Sequence, residues 1–167
     1  NSHINNFSQA KEKGLNMDKT KILDWTPPFI TSFPQHANLI SMIQSNPNAL
    51  PWIYNHYIQL RINKKPNQTA NLDFCTGDNW EMIKRCPFLE VYSQPFSKIN
   101  TAYSSIIDYI IESIDFGLYV ILPVDWFYIS ISNAYNKWHI NHDLLCFGYD
   151  ADKKLLHVAD FLGNQQY

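Results

Sequence analysis

Glycine is scarce in this chain, with 5 among 167 residues, and no phosphate-cradling glycine loop is present. Cysteine is scarcer still. Cys75, Cys86 and Cys146 are an odd set without close paired spacing, so a disulfide framework is excluded and at most one bridge is expected. That usage predicts a reducing, cytoplasmic setting. Charge is also thin: charged residues make up 17% and the net charge is -2, which argues against a broad nucleic-acid or membrane surface. No apolar run reaches the roughly 18 residues of a membrane span. The polar N-terminus lacks the apolar core of a signal peptide.

What is abundant is core-forming material. Hydrophobic residues make up 46% and aromatics 15%, enough for one sizeable domain at this length. Residues 1–24 read as a polar N-terminal extension and residues 25–167 as a single domain. Leu39, Ile40 and Ile43 fit a short buried helix over His36 to Gln44. Leu50 to Ile62 is a second apolar stretch with helical character, with Pro51 suited to a first turn. Leu72-Asp73-Phe74 and Leu89 to Tyr92 read as short strands. Ile106, Ile107, Ile110, Ile111 and Ile114 form the core stripe of a helix over Asn100 to Asp115, and Gly117 suits the position past its end. Leu118 to Val124 reads as a central strand, and Trp126 to Ile131 as its continuation or a second strand.

The last quarter carries the chemistry. His142-Asp143-Leu144-Leu145-Cys146-Phe147-Gly148-Tyr149-Asp150 reads as a strand running into a polar turn, and Leu155 to Ala159 as the returning strand. A histidine opens the first strand and Asp160 closes the second. A hairpin in that register brings imidazole and carboxylate together, which is two thirds of a nucleophilic triad.

These segments resemble papain-like domains of the C39-peptidase-like kind. They are most similar to the N-terminal domain of butirosin biosynthesis protein H-like proteins. The resemblance covers about Ile106 to Asp160, including Tyr119 to Ile129, with a weaker echo at Gln35 to Ile43. It implies an α+β, papain-like cysteine-peptidase-like fold, with N-terminal helices packed on an antiparallel sheet. It further implies acyl transfer or hydrolysis on a thioester or amide in secondary-metabolite biosynthesis, with an acyl carrier protein or peptide as partner and no cofactor. His142 would be the general base, Asp160 would orient its ring, and Gln35 would stabilise an oxyanion. Tyr149 and His36 would contact substrate, although His36 equally suits a cap or a buried hydrogen bond.

The resemblance also implies a cysteine at the start of the first core helix, and His36 to Met42 contains none. Cys146 alternates onto the face of His142, and Cys75 lies near a turn; these two are the candidate nucleophiles. Cys146 between Leu145 and Phe147 also reads as a core residue. Ser41 lies inside the helix rather than at its start. A metal on His139 and His142 is disfavoured because no carboxylate or cysteine partner follows the pattern. Two classes stay open: an acyltransferase or hydrolase, and a catalytically inactive domain of the same fold that binds a carrier protein or peptide. The chain is expected to be the N-terminal part of a longer protein.

Overall fold

The computed structural model describes residues 19–64, 66, 69–76 and 79–160. Its centre is a strand, β5 (Asn141–Asp150), long enough to serve three neighbours. The earlier strands are β1 (Thr20–Ile22), β2 (Leu60–Asn63), β3 (Asn71–Phe74) and β4 (Val120–Asp125), and β6 (Leu155–Ala159) follows β5. β4 runs antiparallel to the first part of β5, from Asp125 opposite Asn141 to Val120 opposite Cys146. β1 then takes over with Ile22 opposite Gly148 and Thr20 opposite Asp150. β6 overlaps both stretches and so occupies the other edge, with a bulge between Cys146 and Gly148. β2 and β3 form a separate antiparallel ribbon.

Five helices accompany these strands among the described residues: α1 (Pro34–Ile43), α2 (Leu50–His56), α3 (Asn79–Lys84), α4 (Phe96–Ala102) and α5 (Ile106–Asp115). The period-two alternation of the sheet sends its residues to two cores. Ile121 packs with Leu39, Ile40, Ile43, Ile53, Met82 and Ile83 from α1, α2 and α3. Val120, Leu122, Leu144, Cys146 and Tyr149 pack with Ile110 and Ile114 of α5. The fold is therefore α+β with an antiparallel sheet, and helices cover both of its faces.

Several boundaries differ from the sequence reading. Thr20–Ile22, inside the stretch read as an extension, is a strand of the main sheet, and Lys21 Nζ donates to the Asp115 carbonyl at 2.7 Å. The helix expected from Leu50 to Ile62 stops at His56, and the chain turns into β2. The long helix expected from Asn100 is split. Ser105 adopts extended backbone and its hydroxyl accepts from Asp108 N, so it caps α5 and starts a new helix. Leu89 to Tyr92 forms no strand. Trp126 to Ile131 is not a strand either: Asp125 accepts from Phe127 N and winds Trp126–Tyr128 into a 3-10 turn.

The Gly-Tyr-Asp run is explained by packing. A Cβ on Gly148 would lie 2.8 Å from the Lys21 carbonyl oxygen and 3.1 Å from Ile22 Cα, so only glycine admits β1 at this distance. Tyr149 donates its hydroxyl proton to Asp115 Oδ1 at 2.6 Å, fastening the sheet to the end of α5. Asp150 accepts from Lys153 N at 2.9 Å and from Lys153 Nζ at 2.7 Å, closing the turn into β6.

Candidate active site

His142 and Asp160 meet. His142 Nδ1 lies 2.6 Å from Asp160 Oδ1, with the histidine side chain 17% exposed and the aspartate 1%. The register explains why. Ala159 opposes Leu145, so Asp160 continues one step past the pair, beside the opening residues of β5. Nδ1 is buried without an aligned hydrogen bond, so the 2.6 Å approach is a close contact rather than a linear N–H···O bond. Trp126 closes the site. Its Nε1 donates to Asp160 Oδ2 at 3.0 Å, and its ring lies 4.4 Å from the His142 ring at 35°. The carboxylate is thus held from one side by an indole and presents its other oxygen to the imidazole. A carboxylate enclosed in this way fixes the orientation of the ring.

The other sequence candidates lie elsewhere. Gln35, in the first turn of α1, donates from Nε2 to Asp143 Oδ2 at 2.6 Å. Asp143 and His142 are consecutive in a strand and point to opposite faces, so Gln35 is brought to the face away from the couple. His36 is fully buried. Its Nδ1 is 2.8 Å from Ser32 Oγ, its Nε2 is 3.3 Å from Thr76 Oγ1, and its ring meets the edges of Phe33 and Tyr57. Tyr149 is 1% exposed and spends its hydroxyl on Asp115. Burial leaves these two residues no surface for substrate.

The cysteines are all free. Cys146 is sealed in the α5 core, where burial pushes its thiol up to about 12, and a thiol that keeps its proton is a poor nucleophile. Burial also raises the Cys86 thiol. Cys75 is exposed just past β3, next to Thr76, whose hydroxyl reaches the His36 ring in the first turn of α1. The chain therefore carries a base–carboxylate couple with one accessible thiol outside the helix start.

A second imidazole–carboxylate couple stands at the same end of the sheet. His139 Nδ1 lies 2.6 Å from Asp125 Oδ2, and Asp125 Oδ1 accepts from Phe127 N at 3.0 Å and Ile140 N at 3.2 Å. The hydrogen bond with His139, aided by Phe127 N, holds the Asp125 carboxyl below the usual carboxylate range. Sequence reasoning weighed His139 only as a metal ligand. The residue that meets its ring, Asp125, opens the turn with Trp126 and Phe127 and lies 14 residues away in the chain. Among the described residues no group of three or more His, Cys, Asp or Glu converges to hold a metal ion, and no helix is long and apolar enough to cross a membrane. No family model, curated protein or solved structure matches the chain.

Proposed function

We propose that the chain is a papain-like, C39-peptidase-like domain that performs acyl transfer or hydrolysis on a thioester or amide in secondary-metabolite biosynthesis. The observation that carries this reading is the contact of His142 with the buried Asp160 under Trp126. With Nδ1 facing the carboxylate at 2.6 Å, Nε2 is the atom left to take a proton from the attacking group. Asp160 stabilises the imidazolium that forms, and Trp126 limits competition from water. Cys75 is the thiol within reach of solvent, and a carrier protein or peptide is the partner that would deliver the acyl group. Three unpaired cysteines suit a cytoplasmic location.

A second reading is favoured by Gln35. Its amide is engaged by Asp143 and the start of α1 bears no thiol, as befits a domain of the same fold that binds a carrier protein or peptide without turnover. Two measurements separate the readings. With S-acetyl-N-acetylcysteamine as a thioester probe, His142→Ala should lower turnover by about 100-fold or more, the range of a lost general base. Iodoacetamide labelling of Cys75 that slows in the same variant would make that thiol the nucleophile served by His142. Turnover and labelling equal in wild type and variant would leave the binding domain standing.

A further inference from the structure

We propose that His139 and Asp125 form a second, solvent-open general-base couple, which activates water against acyl esters independently of His142. Three features distinguish it from an ordinary surface ion pair, which loses its small electrostatic gain to side-chain freedom. The Asp125 carboxylate is oriented, because Oδ1 accepts from two backbone N–H groups while Oδ2 meets the ring. The ring is oriented by stacking on Phe127 at 4.3 Å and 18°, with the Tyr128 ring at 6.2 Å. The third feature is direction. Nδ1 is engaged, and among the described residues no hydrogen bond involves Nε2, while the His139 side chain is 65% exposed.

The surroundings are ordered as well. Asn136 N donates to the Phe127 carbonyl at 3.1 Å, Trp126 N to the Ile140 carbonyl at 2.9 Å, and Ser132 Oγ to the Trp126 carbonyl at 2.9 Å. These bonds tie the loop between β4 and β5 back onto its own start, so the couple rests on a braced platform. Tyr128 and Trp138, which flank it in the chain, are largely exposed aromatics. They give an ester with an aromatic or aliphatic body a surface to lie on. This is a different side chain, carboxylate and solvent exposure from the His142 site, where the ring is mostly enclosed.

The chemistry balances without another reactant. Nε2 takes a proton from water as the water oxygen bonds to the ester carbonyl carbon. The tetrahedral intermediate collapses, the bond from carbon to the alcohol oxygen breaks, and the alkoxide or phenolate leaves. The imidazolium then returns its proton to the leaving group or to water, and a carboxylic acid and an alcohol result. Asp125 acts through His139 and is a positioning residue.

The test uses the full chain and p-nitrophenyl acetate. His139→Gln should lower the rate at least about fivefold, a modest share of what general bases supply in closed sites. Asp125→Asn should lower kcat while leaving KM unchanged, and nitrogen NMR should show the His139 ring changing from one tautomer to a mixture. His56→Ala, an imidazole bonded to the Trp52 carbonyl rather than to a carboxylate, should remain within about twofold of wild type. A solvent deuterium effect near two, with no acetyl adduct on the protein by mass, identifies water activation. His139→Gln within twofold of wild type overturns the proposal, as does a single His139 tautomer that survives Asp125→Asn. His142→Ala assayed with the thioester bears only on the His142 reading, so the two can fail separately.

Discussion

Gln35 Nε2 donates a 2.6 Å hydrogen bond to Asp143 Oδ2, which joins the first turn of α1 to the residue after His142, 108 positions along the chain. Bonds to a charged acceptor contribute more than neutral ones. Gln35→Ala should cost about 1–2 kcal/mol in chemical denaturation. An oxyanion donor would behave differently: turnover would fall while the unfolding midpoint stayed in place. The two measurements together assign the residue.

Asp160 should be more sensitive than its place at the end of a strand suggests. Its carboxylate is enclosed and serves both Trp126 and His142. Asp160→Ala leaves the indole N–H without its acceptor and the buried imidazole without its neighbouring carboxylate, at a cost of about 2–4 kcal/mol by thermal or chemical unfolding. Asp160→Asn keeps a carbonyl for Trp126 and should recover part of that loss. Equal stabilities for the two variants would show that the indole bond contributes nothing.

Gly148→Ala should destabilise the sheet by about 1–3 kcal/mol, because the added methyl meets strand backbone rather than a movable side chain. The loss should be largest in amide exchange at Thr20–Ile22, the strand that must back away.

The Cys146 thiol gives a prediction at alkaline pH. Burial raises it from its ordinary value of 9.0 to about 12, so the folded chain keeps a proton that the unfolded chain releases. Its contribution to stability is fully present below pH 9 and declines as pH rises toward 12. Cys146→Ala should be less stable than wild type by about 1 kcal/mol at pH 7, and the gap should narrow above pH 9. Native protein should show no reaction of Cys146 with a thiol reagent until it unfolds.

Asp150 works in the opposite direction. Its hydrogen bonds with the Lys153 side chain and backbone hold its carboxyl below the usual range. That stabilisation is present above the pKa of the unfolded chain and is lost as pH falls through the depressed folded value. Asp150→Asn should therefore weaken the protein at neutral pH, and the difference from wild type should vanish in strong acid.

The legible parts of this fold were those set by local pattern. The isoleucine stripe of α5 and the hairpin of β5 and β6 depend on neighbours a few residues away, so period and turn chemistry sufficed to place His142 near Asp160. The start of α5 was misplaced although its signal is in the sequence: Ser105 followed by Asp108 caps a new helix where continuous helix was expected. Trp126 to Ile131 contains strand-forming residues, yet one bond that Phe127 N donates to the Asp125 side chain turns the chain against their propensity. The Gln35–Asp143 bond and the His139–Asp125 couple depend on tertiary approach, and nothing in their local sequence announces them.

One edge of β5 is shared end to end, β4 guarding its first part and the three residues of β1 guarding Gly148 to Asp150. Chains trimmed to begin at Asp24 would lose that guard. Bare carbonyl and amide groups beside a glycine would then offer a template to any passing strand, and self-association is the expected fate of such a product. Three residues, Thr20–Ile22, thus close an edge that would otherwise lie open.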